Sequence, residues 1–215
     1  MTDDRRVLTA LLDAHGRTYA QEAGITLRDT PQPLYRLLVL ALLLSARIRA
    51  SVAVAAAREL YAAGLRDPRR MAAAEWQQRV DALGRGGYRR YDERTATQLG
   101  DGAELLTERY RGDLRRLHEA AGGDTGELRR LLQEVPGIGP AGADIFLREV
   151  QRVWPDIAPQ VDGKALDGAA RLGLPKDPDR LLSLAGKAEP AVLAAALVRA
   201  ALEKEVAEDC LRAAG

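Results

Sequence analysis

The stretch VPGIGPAGADIF, Val135 to Phe146, has the residue types and spacing most suggestive of binding chemistry. Pro136 cannot donate a backbone hydrogen bond and should end a preceding helix. Gly137 and Gly139 permit positive φ values and remove side chains from a tight turn, and Pro140 favours the start of a second helix. The exposed N–H groups predict a neutral anion site that suits a phosphodiester without reading base sequence. A purely structural corner between helices has the same pattern.

The charge distribution gives a second indication of an anionic partner. The net charge is only +1, but residues 31–100 carry 12 arginines against 6 acidic residues. Such a block can steer phosphate toward one face of a protein. A solvated helix face has the same composition, so the charge alone leaves both interpretations open.

The composition predicts a helical protein with an aliphatic core. Apolar residues make up 47% of the chain and aromatic residues 4%, so Leu, Ala and Val must build the core. Alanine and leucine in such numbers favour helix. The single cysteine, Cys210, excludes an internal disulfide and any all-cysteine metal or iron–sulfur site.

Helical periodicity runs through nearly the whole chain, and no alternating strand pattern is visible. LYRLLVLALLLSARIRA, residues 34–50, is apolar nearly all round and predicts a central buried helix. GRGGYRRYDER, residues 84–94, predicts a loop, and Trp76 and Trp154 are expected in the core. The pattern predicts an all-α protein of roughly ten helices.

The order of hairpin, Gly/Pro loop, aspartate and helix resembles the helix-hairpin-helix DNA glycosylase superfamily, in particular endonuclease III and its adenine-specific mismatch glycosylase relative. The resemblance covers residues 34–175, about two-thirds of the chain. LLSA, residues 43–46, is similar to the signature of the family's second helix, and VDGKALDGAARLGL, residues 161–174, is similar to its catalytic-aspartate segment.

The resemblance implies two all-helical lobes with a DNA-binding cleft between them. Residues 28–152 would form a barrel-like lobe that holds the hairpin, and residues 1–27 would pack with residues 153–215 as the second lobe. Within the hairpin, the residues expected at the DNA backbone are Gly137, Ile138, Gly139 and Ala141.

Three departures from the family pattern limit the chemistry that the resemblance implies. The lysine nucleophile of the bifunctional branch would stand at Ala141. The glutamate of the adenine-specific branch has no counterpart in LALLLSA, residues 40–46, and the C-terminal four-cysteine cluster is absent. We therefore expect no iron–sulfur cluster and no other cofactor, although an alkali-metal ion on the hairpin carbonyls is compatible with the family.

Asp162 is the catalytic group that the resemblance retains. Its carboxylate could stabilise an oxocarbenium-like sugar as a base departs, or activate a water molecule against that sugar. It could also merely cap the helix that begins at Gly163. Lys164 could replace the missing nucleophile, but two positions along a helix turn a side chain about 200° away, which indicates a surface or phosphate-contacting lysine. Asp144 is a further candidate acid in the hairpin's second helix.

The resemblance also implies DNA contacts outside the hairpin. Arg47 aligns with the glutamine that fills the hole left by a flipped base, where a planar guanidinium can stack. Tyr88, Arg89 and Arg90 would form the opposing wedge loop together with Tyr91. A solvent-exposed arginine and a plain surface loop are the corresponding structural alternatives.

The resulting hypothesis is a monofunctional DNA repair glycosylase that flips a damaged base and hydrolyses its N-glycosidic bond through Asp162. The alternatives are a non-catalytic protein that recognises damaged duplex and a glycosylase with lyase activity through Lys164. The expected partner is double-stranded DNA containing a modified base. Without a signal-peptide pattern or a membrane-spanning run, we expect a monomer in the bacterial cytoplasm, at the nucleoid.

Overall fold

The computed structural model describes residues 3–215, which form fourteen α-helices, one short 3-10 helix and no strand. The predicted all-α class is therefore confirmed. In chain order the helices are α1 (Asp3–His15), α2 (Tyr19–Glu22), α3 (Pro31–Leu44), α4 (Ala50–Ala62), α5 (Pro68–Ala73), α6 (Trp76–Arg85), α7 (Asp92–Tyr110), α8 (Leu114–Ala120), α9 (Thr125–Leu132), α10 (Pro140–Val150), α11 (Gly163–Arg171), α12 (Pro178–Ala185), α13 (Pro190–Leu202) and α14 (Lys204–Ala214), with the 3-10 helix Pro155–Ile157 between α10 and α11.

The helices are shorter and more numerous than predicted because proline and aspartate repeatedly start new ones. A proline in the first turn of a helix loses no hydrogen bond, and an aspartate just before the first turn can accept a hydrogen bond from the helix backbone. Five helices begin after such an aspartate, whose Oδ1 accepts a hydrogen bond from a backbone N–H two or three residues further on: Asp67, Asp113, Asp124, Asp162 and Asp177.

The described chain divides into two compact units. Ala20–Leu147 forms one, here called the hairpin unit, and the N-terminal residues through Tyr19 form the other, the terminal unit, together with Arg148–Gly215. Compared with the predicted lobe of residues 28–152, the hairpin unit begins eight residues earlier and ends five residues earlier. The boundary falls inside α10.

In the hairpin unit, α3 is the central helix, as its all-round apolar sequence predicted. Nine of its residues are buried, and the helix packs against α4. It ends at Leu44, so Arg47 lies in the turn before α4. Trp76 departs from the prediction because it is 40% exposed. Its indole Nε1 donates a hydrogen bond to Thr97 at the surface.

In the terminal unit, α11 lies directly against α13. An ideal Cβ on Gly168 of α11 would lie 1.8 Å from the backbone oxygen of Leu197 on α13. Only glycine permits this approach, and α13 meets it with a run of buried alanines. Cys210 of α14 is also buried here, and burial raises the pKa of its thiol. Helix α11 begins directly after Asp162, the predicted catalytic residue, whose side chain caps the helix.

Gly168→Ala should destabilise the protein by about 3 kcal/mol, the upper end for overpacking, because the colliding backbone cannot rotate away. For a chain of this size, the melting temperature should fall by roughly 6–12 °C. Gly163→Ala is the matched control on the same helix, since its added Cβ meets nothing within 4 Å. Thermal unfolding followed by circular dichroism measures both variants. Equal melting temperatures would contradict the close packing of α11 on α13.

Within residues 3–215, no single helix is long and apolar enough to cross a membrane. Helices α12 and α13 reach that length and composition only when they are counted together, and they are bent by 106° relative to each other. Most residues of α13 are buried inside the protein.

Candidate nucleic-acid interface and carboxylate site

The hairpin is formed by α9, residues 133–139 and α10. Helix α9 ends at Leu132, so the prediction that Pro136 ends it is wrong. The chain first makes tight turns in which Glu134 and Val135 donate to the carbonyls three residues earlier, at 3.2 and 3.1 Å. Such three-residue bonds satisfy the last carbonyls of a helix before Pro136 is reached.

Gly137 is the residue that shapes the turn. Its φ is +88°, and a Cβ there would lie 2.7 Å from Cδ1 of Leu42. Gly139 does not have a positive φ, so the prediction of positive φ at both glycines holds only for Gly137. Gly139 is exposed, and a Cβ there would meet nothing within 4 Å. The two glycines therefore serve different purposes: one closes the turn and the other keeps its outer surface open.

The backbone at the start of α10 offers donors for the predicted anion site. Among the described residues, the N–H groups of Gly139, Ala141 and Gly142 donate no hydrogen bond. The N–H of Ile138 is used internally, because it donates to Val135 at 2.9 Å, and the Ile138 side chain is buried. Free N–H groups at the first turn of an 11-residue helix favour a bound anion.

The side chains of α10 supply no nucleophile at the hairpin. Ala141 is exposed on the first turn of the helix. Asp144, the candidate acid, is half-buried and forms an ion pair with Arg129 of α9. This contact ties the two helices of the hairpin together, which gives Asp144 a structural explanation.

A pocket of about 400 Å³ in the hairpin unit brings four predicted residues together: Arg47, Tyr88, Tyr91 and Gly137. The other residues around it are Leu42, Ser45, Ala46, Arg94, Thr95 and Gln98. Arg47 and Arg94 are exposed and form no ion pair with the described residues. The pocket thus offers hydroxyl, amide and guanidinium groups beside two tyrosines, a set that suits a flat, hydrogen-bonding, anionic ligand.

The wedge prediction is wrong for Tyr88, which is 1% exposed. The loop runs so close to α4 that a Cβ on Gly86 would lie 2.3 Å from Cα of Ala56, and Tyr88 follows into the interior. Burial raises the pKa of Tyr88, so its hydroxyl stays protonated. Thr95 lies 3.5 Å from that hydroxyl.

The exposed part of this loop consists of the residues that follow Tyr88. Arg89 and Arg90 are exposed as predicted, and Tyr91 is half-buried. The Arg90 guanidinium lies 5.2 Å from the centre of the Tyr91 ring, within the range of a cation–π contact. Tyr91 is therefore the aromatic residue of this loop that a nucleic acid could reach. Helix α6 continues to Arg85 and helix α7 begins directly after Tyr91, so the loop spans residues 86–91 and is five residues shorter than its sequence pattern indicated.

Asp162 lies in the terminal unit, and both of its carboxylate oxygens are engaged. Oδ1 accepts the backbone N–H of Ala165 at 3.0 Å and so caps α11. Oδ2 accepts Nε and Nη2 of Arg148, each at 2.7 Å. The side chains of Arg148 and Asp162 are only 4% and 10% exposed. Asp162 is thus a helix cap, as one interpretation of the sequence predicted, and it also forms a buried ion pair with Arg148.

Gln151, one turn after Arg148 on the chain, holds the loop that leads to Asp162. Its Nε2 donates to the carbonyl of Gln160 at 3.0 Å, and its Oε1 accepts the N–H of Gln160 at 2.8 Å. Neither Arg148 nor Gln151 was predicted from the sequence. The available signal was a polar residue near the end of α10 and another just after it, but their partners, Asp162 and Gln160, lie 14 and 9 residues further along the chain.

Lys164 lies at the protein surface beside an acidic residue of its own helix. Its side chain is 48% exposed, and its Nζ lies 3.6 Å from Oδ2 of Asp167, three residues further along α11. A lysine nucleophile is usually activated by burial or by a neighbouring cation. The position of Lys164 therefore gives no support to a nucleophilic role.

Within residues 3–215, no group of three or more His, Cys, Asp or Glu side chains is placed to hold a metal ion. The alkali-metal ion implied by the resemblance would use backbone carbonyls instead. Val135 and Gly139 each already accept one hydrogen bond within the hairpin. A carbonyl oxygen has two lone pairs, so these oxygens can still fit such an ion, which stays a prediction.

The sequence matches no protein-family model and no curated protein sequence. The fold is similar to that of a solved endonuclease III that is trapped as a covalent intermediate with DNA, in an estranged-adenine complex. The TM-score is 0.54 at 18% sequence identity, and the similarity covers 93% of this chain and 85% of that one. At this identity the similarity establishes an endonuclease III-like helical fold.

Proposed function

We propose that this protein binds duplex DNA and hydrolyses the N-glycosidic bond of a damaged base. The observation that carries the proposal is a fixed carboxylate, Asp162, at the start of a helix that follows a glycine hairpin, in an endonuclease III-like fold. The solved neighbour is bound to DNA. In this proposal the protein acts as a monomer on DNA with a modified base, in the bacterial cytoplasm, and needs no iron–sulfur cluster.

DNA would be held mainly through its phosphates. The free N–H groups of Gly139 and Ala141, which are both exposed residues, can receive a phosphate oxygen. Arg47 and Arg94 can add positive charge from the neighbouring pocket because no described acidic residue pairs with them. Such contacts carry no base information, so affinity should depend strongly on salt and little on sequence.

Asp162 would act on the sugar. As the C1′–N bond breaks, its electron pair leaves with the base, and positive charge develops on the sugar ring. A carboxylate stabilises that charge, or takes a proton from the water whose oxygen bonds to C1′. With Oδ2 occupied by Arg148, the second lone pair of Oδ1 is the acceptor left for this purpose.

A second candidate function, binding without catalysis, is supported by a specific observation. Oδ2 of Asp162 is occupied by a buried arginine, and Ala141 offers no nucleophile. A protein with this arrangement could recognise damaged duplex through the hairpin and the pocket and leave the glycosidic bond intact.

A panel of duplexes, each with one damaged base, tests the proposed function. Free base and strand breaks should be measured separately. We expect base release from at least one duplex, with a strand that is cut only after hot alkali, because no imine forms with the sugar. Lys164→Ala should keep base release within about tenfold of wild type, the scale of one lost contact of ~1.4 kcal/mol.

Two results would decide against this proposal. Borohydride trapping of a protein–DNA adduct by wild type, lost in Lys164→Ala, would make the lysine a nucleophile. Binding to damaged duplexes with no release of any base would establish the non-catalytic alternative.

A further inference from the structure

We propose that Arg148 is a positioning residue for Asp162, holding its carboxylate oriented so that Oδ1 faces the sugar. This inference rests on the proposed function, because it assigns a role to the carboxylate beyond that of a helix cap. Arg148 itself is buried and would touch neither the base nor the sugar.

The other helix caps of the protein show what capping alone requires. Asp67 and Asp113 pair with arginines of their own helices, Arg70 and Arg115, whose side chains are largely exposed. Asp124 and Asp177 cap their helices without an ion pair to any described residue. Among the five described caps, Asp162 alone is held by an arginine from another helix, and that arginine is buried. A cap needs no such partner.

The geometry of the pair restricts the carboxylate completely. Arg148 uses two N–H groups on the single oxygen Oδ2, and the Ala165 N–H holds Oδ1. Rotation about the carboxylate bond would break all three hydrogen bonds. The fork of an arginine provides this constraint, whereas a lysine would supply only a point charge.

The supporting loop strengthens the arrangement. Gln151 follows Arg148 by three residues and fixes Gln160, two residues before Asp162. Its Nε2 also donates to the carbonyl of Arg148 at 2.9 Å. Arg148 thus holds the side chain of Asp162, and Gln151 holds the backbone two residues before Asp162.

The test uses two duplexes that need no base release. One carries a pyrrolidine abasic analogue, whose ring is cationic, and the other carries the neutral tetrahydrofuran analogue. If an oriented carboxylate faces the sugar, wild type should prefer the cationic duplex by at least about tenfold, since it resembles the transition state. Arg148→Lys, which keeps the charge but loses the fork, should reduce the preference to about threefold or less without weakening binding to the neutral duplex.

Arg152→Lys is the matched control, because Arg152 makes an exposed ion pair with Glu189 through Nε at 3.1 Å. It should keep the full preference. Arg148→Gln provides a second, neutral variant and decides the question if Arg148→Lys does not fold.

The outcomes separate this inference from the proposed function. Preference retained in the Arg148 variants but lost in Asp162→Asn would overturn the role of Arg148 and leave that of Asp162 intact. Equal binding of both duplexes by wild type would overturn the role of Asp162, and that of Arg148 with it.

Discussion

Asp162→Asn should reduce base release by at least about a hundredfold, the scale of losing an electrostatic contact to the transition state. Duplex affinity should stay within about threefold of wild type, because the phosphate contacts proposed above use the hairpin and the neighbouring arginines and not Asp162. The amide can still cap α11 through its oxygen, but its NH2 group then faces the N–H donors of Arg148 and cannot accept their hydrogen bonds. Single-turnover base release and a binding titration measure the two effects on whichever damaged duplex the wild type processes.

The same substitution leaves Arg148 without its counter-charge. Removing one partner of a buried ion pair destabilises a protein by about 3–5 kcal/mol, so the melting temperature should also fall. Activity must therefore be measured well below that temperature. Asp167→Asn is the control, since Asp167 is an exposed carboxylate on the same helix. A fully active Asp162→Asn protein would leave Asp162 with the role of a helix cap.

Gly139→Glu should weaken duplex binding by roughly tenfold or more at low salt, because a carboxylate would repel the phosphate at the hairpin. The added side chain enters open space, so the melting temperature should not change. Gly139→Gln has the same shape without the charge and is the matched control. Fluorescence anisotropy at two salt concentrations measures the effect, which should shrink as salt screens the charge.

Gly137→Ala tests the backbone of the same hairpin separately. A Cβ at a φ of +88° is strained and lies 2.7 Å from Cδ1 of Leu42, so the turn must distort without any change of charge. Loss of affinity in Gly137→Ala and Gly139→Glu, but not in Gly139→Gln, would locate the phosphate site at this turn. Equal affinity for all three folded variants would exclude the hairpin as the DNA contact.

The hairpin and the central helix could be predicted because their signals are local. Proline restricts φ and glycine permits the positive φ of a tight turn at their own positions, as Gly137 shows. The all-round apolar run of α3 leaves it nowhere but the core. Asp162 could be predicted as a cap for the same reason: its partner, Ala165, is three residues away.

What the sequence could not supply were contacts between distant residues. Arg148 is an arginine in an apolar helix, and nothing local shows that it pairs with Asp162. Tyr88 was predicted to be exposed from a loop rich in Gly and Arg, but the approach of Gly86 to α4 turns it inward. Both outcomes depend on tertiary packing, which overrides local propensity.

The burial of Cys210 has a practical consequence for observing this protein. The thiolate is the form that reacts with maleimides and related reagents, and burial disfavours it. Since this is the only cysteine of the chain, the native protein should react only slowly with thiol-labelling reagents. A cysteine introduced at an open surface position such as Gly139 would be the one reactive thiol, so a fluorophore could report the approach of DNA at the hairpin without prior removal of the native cysteine.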